Sequence, residues 1–130
     1  MPHFVETSVT SEDGAALLDE YFAFRAASFP VAGAYRVTPP DPSQFVRPTG
    51  VFVVVYDGLD ALGCGGVRML GPSRAEIKHV WLRPEARGRR LGHTLMGELE
   101  HIAEELGATV VGPDAIAGVA KVSSLPNWNT

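Results

Sequence analysis

With 130 residues, the chain has the length of one domain and can bury a full hydrophobic core without staples. Hydrophobic residues make up 45% and charged residues 20%, which describes a globule and excludes a disordered or membrane-embedded chain. Eleven Lys and Arg against 15 Asp and Glu leave a formal charge of −4 and argue against a generally basic nucleic-acid binder, while the single Cys64 excludes an intramolecular disulfide framework.

In chain order, Phe4 to Val9 alternates as a first strand. Thr10 or Ser11 then caps a helix, with Asp13 placed to meet the N–H groups of its first turn. Leu17, Leu18, Tyr21, Phe22 and Phe24 give that helix a wide apolar face, and Pro30 stops it near Ser28 or Phe29. Residues 30–50 hold five prolines and no period, so they read as a long loop, either a substrate-side lid or a surface excursion.

Val51 to Tyr56 is a strand, Asp57-Gly58 a hairpin turn, and Ala61 to Leu70 the returning strand. Ala75 to Leu82 forms another. From about Gly88 a helix begins, with Leu91, Leu95, Leu99, Ile102 and Leu106 spaced by three or four, and Gly107 ends it. Ala108 to Val111 can form a short strand. Gly112 to Thr130 shows no pattern, and the 23 residues after Gly107 carry only two charges, Asp114 and Lys121.

The most informative segment is the junction between the Ala75–Leu82 strand and the helix after Gly88. Four of the eleven cations, Arg83, Arg87, Arg89 and Arg90, fall within eight residues there. A helix start points unpaired N–H groups outward and carries about half a positive charge, and Gly88 and Gly92 let a ligand approach the backbone closely. Such a junction suits phosphate or pyrophosphate. A Walker loop is excluded because no Gly-Lys-Ser/Thr follows, and Gly63-Cys-Gly-Gly66 lacks the last glycine of a dinucleotide fingerprint.

At these residues the chain resembles the GNAT N-acetyltransferase superfamily, whose acyl-CoA signature is Gln/Arg-x-x-Gly-x-Gly/Ala between a strand and a helix. Arg87-Gly-Arg-Arg-Leu-Gly92 matches its first and last positions and places Arg90 at the central glycine. Leu82 to Ala86 resembles the family's strand exit, and Cys64 to Leu70 its hairpin strand. The resemblance runs from Phe4 to Gly107 and is strongest from Gly63 onward. It implies that the pyrophosphate of acetyl-CoA lies against the amides of Arg87, Gly88, Arg89, Arg90, Leu91 and Gly92. It further implies that pantetheine runs beside Val80, Trp81 and Leu82 and pairs with the backbone of Val80 and Leu82.

Acetyl transfer to an amine needs a neutral nucleophile, and an ammonium of pKa ~10 has to lose a proton first. The resemblance makes Glu76 a base acting through water. His79 is the second candidate, with an ordinary pKa of about 6.5. In an unbroken strand the two face opposite sides, so only a bulge between them brings both to one cleft. Glu76 also has a plainer reading, solvated or paired with Lys78, and His79 that of an ordinary strand residue. Cys64 beside glycines reads as packing, and His3, His93 and His101 lack metal-ligand spacing, so no metal is expected.

The resemblance departs at the carboxyl end, where relatives carry a helix with an Asn and a Tyr and a final strand pair. The tyrosine commonly protonates the leaving thiolate. No tyrosine follows Tyr56, so no general acid is assigned. Either the chain is shortened or frame-altered, or a second copy completes the sheet in a homodimer, or a minimal relative binds CoA without efficient turnover.

The expected fold is α/β of the α+β type: a GNAT-like mixed, mainly antiparallel sheet flanked by helices, with its C-terminal strands and helix incomplete. One domain, 1–130, matches well over 1–107 and ends in an atypical tail, 108–130. The expected function is N-acetyl transfer from acetyl-CoA to a primary amine of a small molecule or peptide; the alternative is a non-catalytic CoA- or anion-binding protein. No nucleic acid, membrane or metal partner is expected. With neither a secretory signal at Met1-Pro2-His3-Phe4 nor a run of ~18 apolar residues, the expected location is cytoplasmic.

Overall fold

A computed structural model describes residues 2–31, 33 and 36–113. In chain order these form β1 (Pro2–Glu6), α1 (Glu12–Ser28), β2 (Gly50–Asp57), β3 (Asp60–Met69), β4 (Arg74–Leu82), α2 (Leu91–Glu105) and β5 (Val110–Pro113). One sheet runs β1-β2-β3-β4-β5, with antiparallel neighbours except for the parallel pair β4–β5. The α+β fold expected from the sequence is therefore the one found. Among the described residues no helix is long and apolar enough to cross a membrane.

The period of two along β2 divides the core between the two sheet faces. Val51, Val53 and Val55 pack with Leu91, Leu95, Leu99 and Ile102 of α2. Phe52 and Val54 point the other way, onto Leu17 and Leu18 of α1. Fully burying each such side chain contributes ~1.5–3 kcal/mol, so both helices are held by their apolar stripes.

Several boundaries differ from the sequence reading. β1 ends at Glu6 rather than Val9 because the Ser8 hydroxyl accepts from the Thr10 N–H and turns the chain, dropping Val9 into the α1-side core. Ser11 is the helix cap and accepts from Gly14 N at 3.2 Å. Asp13 does not serve the first turn as expected; its carboxylate accepts from the Tyr56 hydroxyl. The proline-rich loop contains a 3-10 turn at Pro42–Phe45, capped by Asp41, and Phe45 enters the core. The last strand is Val110–Pro113 rather than Ala108 to Val111. The expectation of an incomplete carboxyl end concerns residues 114–130, which lie outside the described residues.

Candidate functional site

Strand β4 changes register at its middle. Cys64 faces Trp81 and Gly66 faces Lys78, so His79 and Val80 together stand opposite Gly65. This is a bulge, and His79 takes φ 59 within it, a left-handed conformation uncommon for a residue with a side chain. The extra residue reverses the alternation: Ala75 and Ile77 before the bulge, and Val80 and Leu82 after it, all enter the α2-side core. Glu76 and His79 then share the α1 face, the arrangement that required a bulge. The His79 ring lies 5.6 Å from Tyr21, 5.7 Å from Phe22 and 5.7 Å from Phe45, centroid to centroid. The Cys64 thiol donates to the His79 carbonyl at 3.4 Å, so Cys64 packs against the bulge. Burial pushes that thiol's pKa far up, which makes it a poor nucleophile.

Beyond the bulge β4 offers its backbone on one side. Arg83 N donates to Leu62 O at 2.9 Å, which makes Gly63 and Leu82 a non-hydrogen-bonded pair. The N–H and C=O of Leu82 therefore point away from β3, and alternation sends those of Val80 the same way. β5 pairs with β4 only at Arg74–Ile77 among the described residues. Among the described residues no strand pairs on this side with the stretch that follows, where Leu82 O accepts from Arg87 Nε at 3.0 Å.

The edge leads to the loop at the start of α2. Gly88 has φ +83 and Arg90 φ 60, and neither conformation belongs to a right-handed helix, so α2 starts at Leu91 and not at Gly88. The N–H groups of Leu91, Gly92 and His93 then open the helix without intrahelical acceptors. Left-handed Arg90 at the motif's central position adopts the backbone conformation that a glycine there would take freely.

The four cations separate into two pairs. Arg83 turns away from the loop: its guanidinium grips Glu20 of α1 with contacts of 2.8–3.1 Å, and Nη1 donates to Ala61 O. Trp81 Nε1 donates to the same carboxylate at 3.1 Å. The Arg83 bonds hold the Glu20 carboxyl below its ordinary 4.5 against partial burial, and the Trp81 bond adds to this. Arg87 lies with its guanidinium 4.9 Å from the Trp81 ring centroid and Nε donating to Leu82 O. Arg89 and Arg90 alone of the four are exposed beside the loop amides.

Glu76 is buried on the α1 face, but its partner is not Lys78. Arg68, directly opposite on β3, donates Nε to Glu76 Oε1 at 2.6 Å and Nη1 to Gln44 Oε1 at 2.7 Å. The pairing was within reach of the hairpin's register, since Arg68 and Glu76 are equidistant from its turn. Glu20 and Gln44 had no such signal, being 61 and 24 residues from the partners they meet. Among the described residues no group of three or more His, Cys, Asp or Glu gathers to hold a metal ion.

Comparison with known proteins gives the family and the fold. Residues 15–115 match the acetyltransferase (GNAT) family, and the chain belongs to that family, whose chemistry is acyl transfer from CoA. An uncharacterised N-acetyltransferase of Schizosaccharomyces pombe is 40% identical over 66 residues, which cover 49% of this chain and 40% of that relative. A Klebsiella pneumoniae protein classed as an acyl-CoA N-acyltransferase superposes with a TM-score of 0.68 at 20% identity, over 87% of this chain and 70% of its own. An acetyltransferase with acetyl-CoA from Clostridium acetobutylicum gives 0.64 at 11% identity, over 88% and 81%. These two likenesses establish the fold.

Proposed function

We propose that the protein is an N-acetyltransferase that moves an acetyl group from acetyl-CoA to a primary amine of a small molecule or peptide. The observation carrying this reading is the bulge at His79. It turns Glu76 and His79 to one face and leads, through the outward backbone of Val80 and Leu82, to the opened start of α2.

The residues present fit acetyl-CoA along that path. Its pyrophosphate suits the N–H groups of Gly88 to Gly92, the Arg87 N–H being spent on Pro84 O, with Arg89 and Arg90 supplying positive charge. Its amide-bearing arm suits the edge at Val80–Leu82, with the Trp81 indole closing the opposite face of the strand. On this reading the thioester comes near the bulge. There the amine nitrogen attacks the carbonyl carbon, the C–S bond breaks, and sulfur leaves as a thiolate that takes up a proton. Before attack, His79 in the bulge, or Glu76 through water, removes the proton of the ammonium. Glu76 Oε1 is engaged by Arg68, so the proton-accepting position on that carboxylate is Oε2.

Thermal shift with acetyl-CoA and CoA, followed by amine-dependent release of free thiol, tests the reading. Stabilisation should grow with ligand concentration, as binding to the folded state requires. Failure to bind at millimolar acetyl-CoA overturns it. Binding without thiol release over a broad amine panel supports instead the non-catalytic CoA-binding alternative, which the missing tyrosine motivates.

A further inference from the structure

Past the bulge, on the side away from the α2 loop, β4 runs on to Glu76 and its partner Arg68. Beside this pair lies an open hollow of about 330 Å³ lined by Ser43, Gln44, Thr49, Arg68, Met69 and Leu70. Its polar groups are mostly donors. Arg68 spends Nε on Glu76 and Nη1 on Gln44, and Nη2 makes no hydrogen bond among the described residues; its side chain is 25% exposed. Gln44 accepts that bond through Oε1, which leaves its two amide N–H groups for a ligand. Thr49 adds a hydroxyl. The Ser43 hydroxyl is committed to Asp41 at 2.8 Å, so serine offers the hollow only acceptor capacity.

The facing charges are unequal in their reach. Glu76 is buried and satisfies Arg68 from the strand side. Asp41, with Ser43 N and Oγ both on Oδ1, is bound into the cap of the 3-10 turn. What the hollow presents to an incoming group is a guanidinium edge flanked by an amide and a hydroxyl. That is the chemistry that receives a carboxylate in a fork.

We infer that this hollow is the acceptor's anion subsite, so that the amine substrate carries a carboxylate read by Arg68 and Gln44. The inference rests on the acetyl-transfer reading, which sets the reacting nitrogen at the bulge. On the unbroken strand β3, Arg68 and Gly65, the residue opposite the bulge, are three residues apart, about 10 Å at ~3.3 Å per residue. The acceptor therefore has its amine and its carboxylate about 10 Å apart, the span of roughly three extended peptide residues. A tripeptide-length chain, acetylated at its amino end, meets both requirements.

The test uses ω-aminooctanoate, whose ends are separated by a similar distance, and its neutral carboxamide. Calorimetric titration should show saturable binding of the carboxylate and binding about tenfold weaker for the carboxamide, the size of a lost charge-assisted hydrogen bond. Arg68→Lys keeps the charge beside Glu76 and loses the fork; Gln44→Ala leaves the buried pair whole. Each should weaken the carboxylate severalfold and leave the carboxamide unchanged, with Tm recorded to show that the variants fold. Equal binding of the two probes, or no saturable binding of either, overturns the subsite. Acetyl-CoA titration in parallel separates the two readings. If acetyl-CoA binds while the probes are not distinguished, the subsite fails and transfer stands; if the carboxylate is preferred but acetyl-CoA does not bind, transfer fails and the hollow remains an anion site.

Discussion

The two faces of the sheet are built from different materials. On the α2 face, sixteen buried residues from Val51 to Ala108 form an all-aliphatic core. The α1 face holds Phe45, Phe52 and Trp81, and beside them the two buried polar residues of the described chain, Glu76 and His79. One strand, β4, supplies both, and the bulge at His79 makes this possible by resetting which residues face which way. Stability and chemistry can thus be altered separately, one face at a time.

The largest expected effect lies on the α1 face. His79→Gly removes the imidazole while keeping a residue at ease with φ 59, so the bulge survives. If His79 is the base, kcat per folded molecule falls ~10²–10⁴-fold, while loss of the buried ring's packing on Tyr21, Phe22 and Phe45 lowers Tm by several degrees. If kcat holds and Glu76→Gln lowers it instead, the base is Glu76. Steady-state kinetics with acetyl-CoA and a turned-over amine decide between them.

Next is the α2 face. Leu99 is fully buried and Leu99→Ala should cost ~3 kcal/mol by denaturant unfolding, while kcat per folded molecule changes less than about twofold. A large loss of kcat at full folding would show that the faces are not independent.

Neighbouring glycines sharpen the contrast, because they lie against opposite layers. A Cβ on Gly65 would sit 2.6 Å from a Leu99 methyl, and one on Gly66 would sit 2.7 Å from the Phe45 ring edge. Gly65→Ala should therefore lower stability by ~1–2 kcal/mol and spare kinetics. Gly66→Ala pushes on the ring that packs against His79 and should change KM or kcat for the amine as well.

The smallest effect concerns the Glu20–Arg83 tie between α1 and β4. Because the folded pKa of Glu20 is lowered, its contribution is present above its ordinary 4.5 and disappears as pH falls through the folded value. Between about pH 5 and about pH 3 the wild-type Tm should fall more than that of Glu20→Gln, and the gap between the two should narrow. Parallel melting curves would expose a Glu20 that contributes nothing.

Periodicity together with cap, turn and stop residues located every strand and α-helix described, because alternation and the three-to-four spacing are imposed by burial and belong to the local chain. The 3-10 turn at Pro42–Phe45 reads in the sequence only as loop. The strand–loop–helix junction was equally legible, since Arg87 to Gly92 is contiguous and its resemblance to the family can be read in order. Boundaries shifted where a side chain or a left-handed residue intervened, as with Ser8 at the end of β1 and Arg90 before α2.

Tertiary structure decided what the charges do. Arg83 belonged to the cation cluster by sequence position, yet Glu20, 63 residues away, claims it. Glu76 had Lys78 as a same-face neighbour, but the cross-strand register brings Arg68 nearer than any alternate residue of its own strand. The bulge left only a faint mark in the hydrophobic pattern: the apolar phase passes from Ala75 and Ile77 to Val80 and Leu82 across the polar pair Lys78-His79, but Trp81, apolar as well, masks the shift. Length and net charge led to an expectation of one domain without general basic character. Where its few decisive charges pair depends on long-range contacts, because an ion pair forms with whatever the fold brings within a few ångströms and the chain order does not record that distance.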